Sequence, residues 1–180
     1  MTDFTLSSGS LVAPHRSPDG GFPIRHMGVS TGLTSNVIYR GSLVCLDKTS
    51  TLHSYVQRST ATAAPYIVGY AAETPPSTSA SGTKIAIYEA DPRVEFRAVT
   101  KNGVLNSTYV GEQKAIVFDS TLNIQYVDLV DSTAANLRVI VTELVDEVGD
   151  SGGYVAYRHM TGALRNSSVQ STVNILAFYY

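Results

Sequence analysis

Lys84-Ile85-Ala86-Ile87-Tyr88-Glu89-Ala90-Asp91-Pro92-Arg93-Val94-Glu95-Phe96-Arg97-Ala98-Val99, running on to Asn102-Gly103, is the stretch whose reading decides the fold. Ile85 and Ile87 share one face of an extended chain, while Lys84, Ala86 and Tyr88 point to the other. Asp91-Pro92 is a turn signal. After it Val94, Phe96 and Ala98 alternate against Glu95, Arg97 and Val99. Asn102-Gly103 then predicts a two-residue hairpin, because both central residues of a type I′ turn need positive φ.

Working outward, the same cadence predicts strands at Val37 to Leu46, Tyr66 to Ala72, Ala115 to Phe118, Ile124 to Leu129, Leu137 to Val145, Tyr154 to His159 and Thr172 to Tyr180. Val, Ile, Thr and Tyr fill these runs, and such side chains fit a pleated, half-buried surface better than a helix. No stretch carries a long i, i+3, i+4 apolar stripe, and Asp131 to Leu137 offers one helical turn at most. The expected fold is all-β, an antiparallel β-barrel or sandwich.

The first 35 residues read differently. Leu11-Val12-Ala13-Pro14, Ser17-Pro18-Asp19-Gly20-Gly21 and Phe22-Pro23 give isolated apolar anchors without periodicity, so residues 1–35 are expected to form an extended N-terminal arm. Residues 36–180 are expected to form the β-rich domain. Within it the Pro- and Ser-rich stretch near 74–82 reads as an exposed loop dividing two parts of that domain.

A chain of 180 residues can bury roughly 70% of its unfolded surface, enough for a core without staples. With 13 basic against 15 acidic side chains, the net charge of −2 supplies no footprint for a polyanion, and direct nucleic-acid binding is not expected. Cys45 is the single cysteine and reads as a small buried hydrophobe. Met1 to Ser10 lacks the basic start and apolar core of a signal peptide, and no apolar run reaches the ~20 residues that span a bilayer. A soluble chain with no membrane partner is the expectation.

Gly149-Asp150-Ser151-Gly152-Gly153 matches the string around the nucleophile of trypsin-like serine proteases. Its surroundings do not match. None of His15, His26 and His53 sits in the histidine segment of that family, only 29 residues follow Ser151, and two six-stranded barrels are too much for 180 residues. A turn built from Asp, Ser and Gly accounts for the string, and no catalytic residue is expected. The four histidines, at 15, 26, 53 and 159, fall in no metal-ligand spacing. Asp128, Asp131, Glu143, Asp146, Glu147 and Asp150 lack the spacing of a calcium loop. The glycines form no nucleotide cradle. The expectation is no metal and no cofactor.

Three segments, Tyr39-Arg40-Gly41-Ser42-Leu43-Val44, Ile67-Val68-Gly69-Tyr70-Ala71 and Gly82 through Ala98, together resemble the small β-rich head-decoration (cement) proteins of tailed bacteriophages. The shared rhythm is a Gly-introduced strand, a Gly-centred return strand and a Gly-led pair ending in an aromatic. The resemblance implies a virion protein on the outer capsid surface, made in the host cytoplasm. It implies a homotrimer bound to the major capsid protein, with an N-terminal arm reaching over neighbouring capsid subunits. Capsid-contact candidates are then Phe4, Leu6, Leu11, Val12 and Phe22. Leu137 to Tyr180 has no counterpart in that resemblance. Ile175, Leu176, Phe178, Tyr179 and Tyr180 form a run apolar on both faces and are the oligomer-contact candidates. A receptor- or glycan-binding β module of a head or tail fibre would use the same framework and is the alternative.

Overall fold

Among the described residues the regular elements are strands, with one 3-10 turn at Ser107–Tyr109. The structure is a computed structural model and describes residues 12–30, 37–47, 55–59, 67–76, 82–133 and 136–160. In chain order the strands are β1 (Ala13–Arg16), β2 (Ile24–Val29), β3 (Leu43–Leu46), β4 (Tyr55–Arg58), β5 (Ile67–Ala71) and β6 (Lys84–Glu89). They continue with β7 (Glu95–Lys101), β8 (Gln113–Asp119), β9 (Ile124–Asp128), β10 (Leu137–Leu144) and β11 (Tyr154–His159).

These strands make two barrels in tandem. The first closes in the order β2-β4-β3-β5-β6. The second is the sheet β1-β7-β11-β10-β8-β9, in which β9 returns to pair with β7 and so closes five strands, while β1 adds along the start of β7. Pairing is antiparallel apart from β2 with β4 and β7 with β9, which are parallel. The expected barrel is present, but there are two, each of five strands.

The barrels are copies of one another in backbone. Strand starts at 24, 43, 55, 67 and 84 recur at 95, 113, 124, 137 and 154, separations of 71, 70, 69, 70 and 70. The register recurs as well. Leu43 opposite Tyr70, Val44 opposite Gly69 and Cys45 opposite Ile67 become Gln113 opposite Ile140, Lys114 opposite Val139 and Ala115 opposite Leu137, with the irregularity at the same place. Connecting hydrogen bonds recur too. Gly41 N donates to Ala71 O and Gly111 N to Val141 O, both at 2.8 Å; Ala90 N donates to Val68 O and Met160 N to Arg138 O, both at 2.9 Å. Gly41 and Gly111, each two residues after a Tyr, hold φ of 80° and 89°, a region open to Gly at no steric cost. Leu137 to Met160 therefore has its counterpart inside the same chain, in Ile67 to Ala90.

Met27, Val29, Ile38, Val44, Val56, Ala71, Ile85 and Ile87 fill the first barrel. The core of the second, built on Phe96, Ala98, Val127, Val139, Val141, Val155 and Tyr157, also takes in Leu43 and Tyr70 from the first. The chain passes between the barrels at residues 17–23, from β1 to β2, and at the turn Asp91–Val94, from β6 to β7. There Val94 N donates to Asp91 O at 3.0 Å, and the Asp91 carboxylate accepts from Arg93 N at 2.8 Å and from the Arg93 guanidinium. A further contact crosses between the barrels where the Arg58 guanidinium lies 4.3 Å over the Phe118 ring and Gln125 Nε2 donates to Ser59 O at 3.1 Å.

Four expectations change. The arm boundary at residue 35 moves, because β1 and β2 are strands of the two barrels; Met27 and Val29, spaced by two, are buried in the first core. The 74–82 loop does not divide the β region but connects β5 to β6 within the first barrel, and the division falls at Asp91–Val94. Of Val37 to Leu46 only the last four residues are strand, since Tyr39 to Ser42 form the turn that leads in. Asn102-Gly103 makes no hairpin. Asn102 does adopt φ of 63°, but its Nδ2 donates to Asp128 Oδ2 at 2.7 Å, and the chain passes on to β8, which pairs with β9 and β10 instead of β7. Thr172 to Tyr180 lies outside the described residues.

At Gly69 the backbones of β5 and β6 approach closely. A Cβ there would stand 1.9 Å from the Tyr88 carbonyl oxygen, so β5 and β6 would have to part. Gly69→Ala is expected to destabilise the protein by about 3 kcal/mol, in the range of a severe overpacking. Gly21→Ala, with no atom within 4 Å of the added methyl, should stay within about 0.5 kcal/mol of the parent. Urea unfolding of the two variants checks the pair.

Candidate functional site

Two constellations lie at the start of β7 and the end of β11, one on each face of the sheet. Phe96 and Tyr157 are register partners, and so are Glu95 and Arg158. Alternation sends the first pair inward and the second outward.

On the inner face Tyr70 reaches from β5 of the first barrel into the second. Its ring centroid is 4.8 Å from that of Phe96, 6.5 Å from Tyr157 and 5.5 Å from His159. The Tyr157 hydroxyl donates to the Tyr70 hydroxyl at 2.8 Å, and the Tyr70 hydroxyl meets His159 Nε2 at 2.8 Å. A Tyr70 hydroxyl that passes its own proton on to His159 Nε2 pairs with a neutral imidazole protonated on Nδ1. Burial acts the same way, holding His159 down at about 4 and pushing both phenols up. The group is a dry, neutral polar chain locked between two barrels.

On the outer face β1 crosses the start of β7, and its register shifts between Pro14 and Arg16, which sets His15 at the irregularity. Such bulges re-aim a side chain. His15 Nε2 lies 3.8 Å from Glu143 Oε2 on β10, and Arg16 reaches both Glu143 Oε2 at 3.2 Å and Glu95 Oε2 at 3.6 Å. Arg158 holds Glu95 Oε1 from the other side, at 2.8 and 3.2 Å. β10 has its own irregularity between Val141 and Glu143. Ala156, a bare methyl, sits between Arg97 and Glu143 in the cross-strand row.

Beside the joint, a shallow cleft of about 290 Å³ runs between Ser17–Pro23 and the turn at Asp91–Val94. Arg93 and Asp91 form one wall of it, and the Arg93 guanidinium holds the Asp91 carboxyl below its ordinary value.

The residues singled out from sequence fall as follows. Val12 is buried in the second core, and Phe22 packs edge-on to Tyr88 with centroids 6.4 Å apart, so both serve the protein's own packing. Phe4, Leu6, Leu11, Ile175, Leu176, Phe178, Tyr179 and Tyr180 lie outside the described residues. Gly149 to Gly153 form the loop between β10 and β11. Asp150 O accepts from Leu105 N at 2.9 Å, exposed Ser151 bridges Val104, and Gly149 and Gly152 have positive φ. Asp128, Asp131 and Asp146 cap turns, accepting from Val130 N, Thr133 N and Tyr154 N. Cys45 is buried, and burial pushes its thiol up to about 11. Glu143 departs from the turn-capping pattern, and its grouping with His15 and Glu95 is invisible to any local spacing because 80 and 48 residues separate the three. No family model, curated protein or solved structure matches the chain.

The neutral His159 makes the joint acid-sensitive. The unfolded chain protonates this imidazole near its ordinary value of 6.5, whereas the folded protein does so only near 4. Between those values the unfolded state binds the extra proton, so stability fully present above pH 6.5 is lost as pH falls towards 4, by about 3 kcal/mol for this group. His159→Gln keeps an acceptor for Tyr70 but cannot titrate. Urea titrations at pH 7.5 and 4.5 should show a smaller loss in His159→Gln than in the parent, and equal losses would show that the imidazole is not the source.

Proposed function

We infer that this protein is a non-catalytic virion component that seats on the outer surface of a phage capsid and bridges neighbouring major-capsid subunits as a homotrimer. The observation that carries the reading is the tandem of register-matched barrels joined through a shared core. A bridge must hold two contact surfaces at a fixed separation. A barrel pair with Tyr70 buried across its joint does that, because bending it would bring an aromatic ring and three hydrogen-bonding groups into an unsatisfied position. The segments that carry the resemblance to cement proteins supply β3, β5, β6 and the start of β7, which form most of the first barrel and part of the joint. Several modest contacts joined in one trimer raise avidity by ~10² to 10⁴.

The gripping role expected of the arm falls to residues 1–11, with Phe4, Leu6 and Leu11, since Val12 is buried in the second core and Phe22 is half-buried against it. Deleting residues 1–11 removes none of the described strands. Co-sedimentation with capsid shells stripped of surface proteins should show saturable binding of the full chain, and binding at least tenfold weaker for the truncated form. Undiminished binding of the truncated form would refute the grip of the arm, and failure of the full chain to bind shells would refute the capsid role itself.

A further inference from the structure

We propose that His15, Glu95 and Glu143 bind a single divalent transition cation, zinc being the best fit, that fastens β1 to the second barrel. One donor atom from each residue lies within 4.8 Å of the other two. Zinc bonds of about 2.0–2.2 Å to nitrogen and oxygen put tetrahedral ligands about 3.3 Å apart. The 3.8 Å between His15 Nε2 and Glu143 Oε2 needs a closure of only about half an ångström.

Glu95 supplies the independent sign of a ligand. Its side chain is 5% exposed, yet Oε2 is buried and accepts no hydrogen bond, although the other oxygen is firmly held by Arg158. A buried carboxylate oxygen with unused lone pairs is costly. One oxygen restrained by an outer partner while the other stays open is how a ligating carboxylate is held. Oε2 faces the same Arg16 guanidinium that touches Glu143, so it opens onto the cluster.

Two cations already stand there, and they differ. Arg158 binds Oε1, leaves Oε2 for the ion, and can stay. Arg16 lies between the two carboxylates at 3.2 and 3.6 Å, but its side chain is 63% exposed. Ion pairs this exposed are worth little, so a divalent ion can displace the guanidinium into solvent. An imidazole with two carboxylates suits zinc and its first-row neighbours; calcium wants six to eight oxygens. Water completes the coordination. The consequence is a clip between three strands, β1, β7 and β10, at the point where β1 leaves regular register.

The test is isothermal titration of zinc chloride into the untagged, chelator-treated full chain, with circular dichroism to confirm that each variant is folded. One equivalent should bind. His15→Ala and Glu143→Gln should each weaken binding at least tenfold, and Arg16→Ala should tighten it because the competing guanidinium is gone. Absence of a one-equivalent site in the parent, or zinc binding unchanged in His15→Ala and Glu143→Gln, would overturn the proposal and leave the cluster as an ion-pair network alone. Capsid binding plays no part in the readout, so the two readings stand or fall separately.

Discussion

Each barrel has an odd number of strands, and that constraint shapes the rest. Around a closed ring of five, strand directions cannot alternate throughout, so at least one neighbouring pair must be parallel. Parallel partners cannot be joined by a tight hairpin and need a longer crossover. Here the crossover is filled by a strand of its own, β3 between β2 and β4, and β8 between β7 and β9. The parallel contacts are short, Gly28 with Tyr55 and Val29 with Val56 in one barrel, Thr100 with Val127 and Lys101 with Asp128 in the other. So few ladder bonds do not hold a seam alone. Val29, Val56, Thr100 and Val127, all fully buried, sit at these closures, so packing completes what the hydrogen bonds begin.

This explains why some elements were legible in the sequence and others were not. Tyr66 to Ala72, Leu137 to Val145 and Tyr154 to His159 lie in antiparallel ladders, and their runs of β-branched and aromatic residues report them within a residue or so. β1 contains Pro14 and a register shift, which erase alternation over four residues. β2 is exposed along its first half and buried along its second, a gradient instead of an alternation. Asn102-Gly103 carries true local information, since Asn102 is left-handed, but ring closure dictates the strand that follows. Local chemistry chose the turn, and topology chose the partner.

The duplication was less legible because the two copies keep backbone requirements and exchange side chains. Tyr39 and Gly41 recur as Tyr109 and Gly111, Val56 as Val127, Ala86 as Ala156. Elsewhere matched positions hold unlike residues: Ile24 and Glu95, Tyr88 and Arg158, Tyr70 and Ile140. The Tyr-x-Gly pair 70 residues apart is the signal that could have revealed the repeat. Some of these exchanges fall at the joint and in the outer polar cluster. Tyr70 replaces an aliphatic to plug the neighbouring barrel, and Glu95 with Arg158 replaces an apolar pair where β1 crosses.

Whether the pair behaves as one body follows from how that joint is made. Domains in one chain move relative to each other unless their interface is extensive and apolar. Here no apolar linker separates the cores, because Leu43 and Tyr70 of the first barrel belong to the second barrel's core. Opening the joint would expose the Tyr70 ring and strand the Tyr157 hydroxyl and His159 imidazole without their shared partner. The turn at Asp91–Val94 adds further restraint through the Asp91 carboxylate and Arg93. A load applied to one barrel is therefore carried into the other through close-packed atoms, which deform little. That stiffness is the property a bridge between capsid subunits would draw on.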